Sequence, residues 1–218
     1  MLEDLNLYTH EVYESVQGET SFAGIPTVFV RLSACNLRCT WCDTPYAFGK
    51  GTPFSLVHLL EKIDSYQLNH VCITGGEPLL QKNVFALIKE LCNKNYTVSI
   101  ETGGSLPIKE IDPRAVVILD VKCPGSGMEK RNDWSNIDAL KPKDEVKFVI
   151  ADRADYDYAV AVCQKYELFE KTDSLLFSPV HNVLNPQDLI KWILQDKLPV
   201  RLNLQIHKYI WTPETLGV

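Results

Sequence analysis

Seven short runs rich in β-branched and aromatic residues recur along the chain, at residues 27–32, 70–74, 96–101, 116–121, 145–150, 174–178 and 200–207. Most read as continuously apolar, the pattern of strands covered on both faces. Helix-like segments lie between several of them. Residues 55–66 carry Leu56, Leu59, Leu60 and Ile63 at i, i+3, i+4 and i+7, with Ser55 placed as an N-cap. Residues 83–93 repeat the device with Val84, Leu87, Ile88 and Leu91. Residues 153–166 and 186–196 are similar, the latter with Pro186 at a first-turn position after Asn185. Strand–helix–strand alternation predicts a parallel α/β sheet or barrel. Helical patterning is missing between Glu101 and Val116, where Gly103, Gly104, Pro107 and Pro113 intervene, and between Val121 and Glu145, where Pro124, Gly125, Gly127 and Pro142 do. The expected fold is therefore α/β, an incomplete and irregular parallel (β/α) barrel with loops in place of some crossover helices. Residues 8–14 are expected as an extra strand or lid.

Composition narrows the function classes. The chain has 218 residues, 45% hydrophobic and 23% charged, enough for a single domain with a substantial core. No apolar run approaches the roughly 18 residues of a membrane span, and Met1-Leu2-Glu3-Asp4 lacks the basic flank and apolar core of a signal peptide. The cysteine count is seven, an odd number with three clustered, which suits a reducing cytoplasm and a metal site better than a disulfide scaffold. Net charge is −6 and the isoelectric point is near 5.4, with no Lys/Arg-rich tract. A direct nucleic-acid substrate is disfavoured, because such proteins carry a basic footprint.

The clustered cysteines are Cys35, Cys39 and Cys42, in Cys-Asn-Leu-Arg-Cys-Thr-Trp-Cys directly after the run 27–32. A structural zinc site closes with four ligands, and an ordinary iron–sulfur cluster is held by four cysteines. A four-iron cluster with three protein ligands leaves one iron open for a small molecule. The alternatives are a zinc knuckle borrowing a distant fourth ligand, or three incidental thiols. One strand later comes Thr74-Gly75-Gly76-Glu77-Pro78, whose glycines let backbone approach a ligand at a strand's C-terminal end. On residues alone it is equally a tight strand-to-helix turn. The C-x3-C-x2-C spacing with Trp41 before the last cysteine, followed in order by Gly-Gly-Glu, resembles the radical S-adenosylmethionine (SAM) enzymes. The resemblance implies a partial barrel, a [4Fe-4S] cluster on the three cysteines, and SAM on the open iron. It places Gly76 and Glu77 on the SAM amino group and Glu101 at the ribose. It also brings Lys122, in Asp-Val-Lys-Cys-Pro-Gly-Ser-Gly, near the SAM carboxylate, with Trp41 and Asp43 beside the cofactor. Glu101 and Lys122 are otherwise surface residues at strand ends.

A finer resemblance rests on Ser15-Val16-Gln17-Gly18-Glu19-Thr20, on Arg31 four residues before Cys35, on Cys42-Asp43-Thr44, on the Cys-Pro-Gly-Ser-Gly run, and on Gln205-Ile206-His207-Lys208. Together these resemble the 7-carboxy-7-deazaguanine synthases of queuosine and 7-deazapurine biosynthesis, from Gln17 to Lys208. The resemblance implies a lyase that contracts 6-carboxy-5,6,7,8-tetrahydropterin to 7-carboxy-7-deazaguanine with loss of ammonia. It further implies Mg²⁺ at Thr44, reusable SAM, an electron donor such as flavodoxin or ferredoxin, and a homodimer. Val16, Gln17, Gly18, Glu19, Arg31, Thr74 and His207 are its expected substrate contacts. Chemically, Arg31 offers a planar two-donor fork for the pterin carboxylate, or else pairs with a structural acid. Gln17 and Glu19 can read the amide-like edge of the pterin, Thr74 points from a strand end, and His207 is expected to terminate the last strand. A single hydroxyl is typical of Mg²⁺, which keeps water and substrate oxygens as its other ligands. Asp43 either serves the metal or SAM or caps the next turn. Cys72, Cys92, Cys123 and Cys163 read as ordinary buried thiols.

Residues 1–26 are then an N-terminal extension and substrate loop, 27–208 the barrel core and 209–218 a tail. The tail departs from the pattern. Some family members end shortly after the His-Lys pair and bind substrate with the terminal carboxylate, whereas here the chain runs on, leaving the reach of the Val218 carboxylate open. Two rivals stand beside this expectation: an enzyme that installs a glycyl radical on a partner protein, and a non-catalytic zinc-binding module.

Overall fold

The computed structural model describes residues 2–212 together with Thr215 and Gly217; the Val218 carboxylate lies outside the described residues. In chain order the elements are β1 (Asn6–Val16), β2 (Pro26–Leu32), β3 (Thr52–Ser55), α1 (Leu56–Ser65), β4 (His70–Gly75), α2 (Val84–Asn93), β5 (Thr97–Thr102), β6 (Val116–Val121) and α3 (Asn136–Ala139). They continue with β7 (Glu145–Ile150), α4 (Arg153–Lys165), α5 (Leu168–Lys171), β8 (Ser174–Pro179), α6 (Pro186–Asp196), β9 (Arg201–Leu202) and α7 (His207–Ile210). One sheet runs β3-β1-β2-β4-β5-β6-β7-β8-β9. From β2 to β9 every neighbouring pair is parallel, and β1 is antiparallel to both β2 and β3. Among the described residues no ladder joins β3 to β9, so the barrel is incomplete.

The parallel strands do not bury two apolar faces, contrary to the expectation from their sequence. Val71 and Ile73, Val98 and Ile100, Val117 and Leu119, and Val146 and Phe148 point outward into one core with the helices. The alternate positions carry His70, Cys72 and Thr74, then Ser99 and Glu101, then Asp120, then Glu145 and Lys147. Successive side chains of a strand leave opposite faces, so one face of the sheet packs and the other lines the barrel with polar groups. The helices supply the cover. Leu56, Leu59, Leu60 and Ile63 of α1 and Val84, Leu87, Ile88 and Leu91 of α2 are all buried, each such side chain contributing about 1.5–3 kcal/mol. The expected caps are present: Ser55 accepts from the His58 amide at 3.2 Å and Asn185 from the Gln187 amide at 3.0 Å.

Residues 8–14, expected as an extra strand or lid, are strand: they belong to the 11-residue β1, which pairs on both sides. Three segments differ from expectation. The short β3, with Pro53 in it, carries no strand signal yet pairs along the outer edge of β1. The region between β6 and β7 holds the single turn α3. The last run is a strand only at Arg201–Leu202. Beyond it the Asn203 amide donates to the Phe177 carbonyl and the Ile206 amide to the Gly18 carbonyl, both at 2.9 Å. The first bond is the last of the β8–β9 ladder and the second carries the chain to the floor loop, so His207 opens α7 and does not end a strand.

The loop between β1 and β2 closes the floor of the barrel. Phe22 lies 4.5 Å from the ring of His70, the first residue of β4. Ser21 donates its hydroxyl and its amide to Glu145, the first residue of β7. First residues of parallel strands share one end, so the loop plugs that end and leaves the C-terminal ends open.

Candidate active site

A cavity of about 490 Å³ fills the barrel above this plug. All seventeen residues expected at the site from sequence line it, from Val16 on the floor loop to His207 at the end of the chain's core. A pocket of this size is in the usual range for small-molecule sites.

The cysteine loop follows β2. Cys35, Cys39 and Cys42 are free, half-buried thiols facing the cavity. Burial pushes the Cys35 and Cys39 thiols up, and at Cys39 Lys122 opposes that shift. Among the described residues no three His, Cys, Asp or Glu side chains converge tightly enough to share one metal ion. Three free thiols on one loop fit a multi-iron cluster, which takes each thiolate on a separate iron.

Neighbouring turns fix this loop. The Glu77 amide donates to the Ala34 carbonyl at 2.8 Å and the Thr40 amide to the Ser126 carbonyl at 3.1 Å. The Gly-Gly-Glu and Cys-Pro-Gly-Ser-Gly runs thus brace the cysteines from two sides. Gly76 must be glycine here, since a Cβ would stand 2.1 Å from the Ala34 carbonyl oxygen. The fully buried Glu77 carboxylate accepts from the Leu79 amide at 3.1 Å, the Gly103 amide at 2.8 Å and the Thr102 hydroxyl at 2.9 Å. Three donors on about four acceptor positions leave one for an ammonium group. Burial pushes the Glu77 carboxyl up, against the pull of those donors.

Thr44 sits 3.8 Å from the Cys42 sulfur. Asp43 pairs with Lys208 at 3.2 Å and caps no turn. Trp41 lines the same wall. Lys122 is half-buried on the cavity wall, not a free surface residue, and pairs with Asp120 at 3.2 Å.

The rest of the lining is polar and tightly bonded. Glu101 accepts from Gln17 Nε2 and from the Thr74 hydroxyl, both at 3.3 Å. The residue expected at the SAM ribose is therefore tied directly to two expected at the substrate. Burial pushes the Glu101 carboxyl up, opposed by Lys147. Arg31 donates from Nε to Glu11 at 3.0 Å and from Nη2 to the Tyr13 hydroxyl at 2.9 Å. Glu19 accepts from Lys147 at 3.0 Å and Gln205 at 2.7 Å. Burial opposes its charge, but Lys147 and Gln205 outweigh burial and hold the carboxyl at about 2. His207 stacks over Gly18, where a Cβ would fall 1.9 Å from Nδ1. Burial pushes the His207 ring down, with Glu19 pulling the other way. Thr215 and Gly217 also line the cavity.

Residues 30–193 match the Radical SAM superfamily. The 7-carboxy-7-deazaguanine synthase of Koribacter versatilis (strain Ellin345) is 45% identical, over 95% of this chain and 98% of its own length. That of Chlorobaculum tepidum is 41% identical over the whole of both chains. The chain belongs to the 7-carboxy-7-deazaguanine synthase family. Membership brings with it the [4Fe-4S] cluster and SAM of the radical SAM superfamily. The crystal structure of QueE from Escherichia coli superposes with a TM-score of 0.76, covering 92% of this chain and 94% of that one at 22% identity, which shows a shared fold. Streptococcus suis SuiB bound to precursor peptide SuiA gives 0.57 at 14% identity over 82% of this chain and 47% of its own.

Sequence inspection missed Lys147, Asp120, Glu11, Tyr13 and Gln205, all close to the family's motif residues. The signal was available: a charge inside an apolar strand, as at Asp120 and Lys147, marks the face turned away from the helices.

Proposed function

We propose that this chain is the lyase that converts 6-carboxy-5,6,7,8-tetrahydropterin to 7-carboxy-7-deazaguanine with loss of ammonia, in queuosine or another 7-deazapurine route. The observation that carries the proposal is one cavity lined by two chemically distinct sets of residues: three thiols with the Gly-Gly-Glu turn, and Arg31 with Gln17 and Glu19. When bound, the cluster and SAM would supply the reversible hydrogen-atom transfer that the ring contraction at C6 of the pterin needs. Cys35, Cys39 and Cys42 hold the cluster. Glu77, Gly76, Glu101, Lys122, Trp41 and Asp43 hold SAM, and Thr44 offers its hydroxyl to Mg²⁺.

The protein's own part is position and charge. Arg31 meets the pterin carboxylate, Gln17 and Glu19 accept or donate along the amide-like edge, and Thr74 and His207 close the ring's periphery with Val16 and Gly18. The floor loop excludes water from below. The proposal includes an electron donor such as flavodoxin or ferredoxin, a homodimer and a cytoplasmic setting, with 1–218 acting as one radical SAM domain. Seven free cysteines support the reducing compartment. No helix among the described residues is long and apolar enough to cross a membrane. A glycyl-radical activating role fits less well, because a peptide backbone offers no carboxylate or pterin edge to match Arg31 and Glu19.

Anaerobic turnover of the cluster-loaded protein with SAM, Mg²⁺, a reductant and the carboxy-tetrahydropterin tests the reaction. Mass detection of the deazaguanine is expected. Steady SAM cleavage with no deazaguanine would refute the substrate.

A further inference from the structure

Lys147 belongs to none of the motifs that place the chain in its family, yet it stands at the centre of the cavity's charges. It rises from the middle of β7, with 9% of its side chain exposed. The parallel register sets it directly beside Asp120 of β6. Its ammonium lies 3.0 Å from Glu19 Oε2 and 3.6 Å from Asp120 Oδ2, and Asp120 in turn meets Lys122 at 3.2 Å. Charges thus alternate from the floor loop towards the SAM wall: Glu19, Lys147, Asp120, Lys122. Glu101 from β5 and His207 from α7 are the other titratable groups facing Glu19.

The Glu19 carboxylate has about four acceptor positions. Lys147 and Asn203, at 3.4 Å, occupy Oε2, and Gln205 occupies one position on Oε1. One position on Oε1 remains. An ionised carboxylate offers it to an N–H on a ligand. A protonated one is a weaker acceptor, and wherever its O–H turns to the ring it opposes that N–H. Burial favours the protonated form, with the carboxyl of Glu101 coupled to it, and Lys147 is the first cation that reverses this balance.

We propose that Lys147 is a positioning residue for substrate recognition: braced by Asp120, it keeps Glu19 an anion and turns its free acceptor to the N–H-bearing edge of the pterin. This rests on the assignment of Glu19 as a substrate contact. It makes the floor selective for a ring edge that donates hydrogen bonds, a property set by a residue that need not touch the ring.

The test is equilibrium binding of the carboxy-tetrahydropterin to anaerobic, cluster-loaded, SAM-bound protein between pH 5.5 and 8.5. Each variant is expressed as a ratio to wild type, which removes the ligand's own titration. Lys147→Met is expected to bind about tenfold or more weakly, with the deficit growing by up to about tenfold per pH unit as the pH falls and Glu19 takes a proton. Glu19→Gln combined with Lys147→Met should lose that slope and bind no worse than Glu19→Gln alone. A ratio for Lys147→Met that stays constant across the range overturns the proposal, because a merely structural lysine would not move the pH profile. Wild-type affinity in Glu19→Gln would instead refute the assignment of Glu19. Cluster absorbance and circular dichroism establish that the variants are folded. Should Lys147→Met fail to fold, Lys147→Arg decides the matter. Its retained charge predicts a flat ratio, and its displaced donor predicts affinity about threefold or more below wild type, so unchanged affinity overturns the proposal.

Discussion

Truncating Arg31 separates substrate recognition from the cofactor chemistry. The guanidinium is 14% exposed and sits on the cavity wall. Glu11 takes Nε and Tyr13 takes one Nη2 proton, so two of its five N–H donors are engaged and three remain for a ligand. The rings of Tyr13 and Tyr46 lie 6.0 Å from its central carbon and hold the fork in plane. Burial opposes the charge, and Tyr13, Tyr46 and Glu11 outweigh it, so the side chain is a fixed cation at any working pH. A buried guanidinium–carboxylate pair that loses one partner costs about 2–5 kcal/mol. At about 1.4 kcal/mol per decade that is roughly 30- to several thousand-fold in affinity. Arg31→Ala is therefore expected to bind the pterin in that range more weakly, while its cluster forms and its uncoupled SAM cleavage continues. Arg31→Lys recovers only part, since a point charge cannot meet Glu11, Tyr13 and a carboxylate together. Glu11→Gln keeps an acceptor for Nε, so its cost in affinity is smaller, about tenfold at most. Pterin titration of the anaerobic, SAM-bound variants measures all three. Normal affinity in Arg31→Ala would refute the carboxylate clamp and favour a protein substrate, and loss of the cluster would make Arg31 a structural residue.

Alanine at Cys35, Cys39 or Cys42 should each abolish SAM cleavage, whereas Cys163→Ala should not; iron analysis showing four essential cysteines, or stoichiometric zinc in place of about four irons, would overturn the cluster assignment. Mg²⁺ should raise turnover in wild type and do much less in Thr44→Ala, and equal stimulation of both would move the ion elsewhere. His70 is buried between the hydroxyls of Thr27 and Ser99, at 2.9 and 3.0 Å, and burial pushes its ring down to about 4. The unfolded ring, near 6.5, binds its proton first as pH falls, so this stability is complete above pH 6.5 and is lost on the way to pH 4, at about 1.4 kcal/mol per unit. Between pH 7 and 5 denaturant unfolding of wild type should lose about 2 kcal/mol more than His70→Gln, and parallel profiles would show that the ring is not held neutral.

What could be read from the sequence divides along the distance between partners. Cys35, Cys39 and Cys42 share one loop, Gly76 and Glu77 share one turn, and the faces of α1 and α2 repeat within a helix. Local spacing specifies each of these, so their chemistry was visible before any fold was known. The wall that holds Glu19 is different. Lys147 reaches it across 128 positions of chain and Gln205 across 186. Only the register of β6 against β7 brings Asp120 to Lys147, and register is set by packing that no short window contains.

The same cause explains the strands that read as apolar on both faces. A partial barrel has helices on one side and a ligand cavity on the other, so its strands must alternate. Here the inner positions mix apolar residues such as Phe29, Cys72, Ile118 and Val149 with polar ones, and the alternation is diluted below notice. Each polar residue that remains on that face was thus under a constraint from the cavity. An uncompensated buried lysine or glutamate costs several kcal/mol; here Lys147 is paired by Glu19 and Asp120, and Glu101 accepts from Gln17 and Thr74. The early end of the last strand follows from this too. The Asn203 amide still meets the Phe177 carbonyl, but beyond it the Ile206 amide bonds the Gly18 carbonyl. The Gln205 side chain donates to Glu19 at 2.7 Å, on the same floor loop. The end of the barrel is shaped by its site, and a charged loop near the start of the chain decides where the last strand stops.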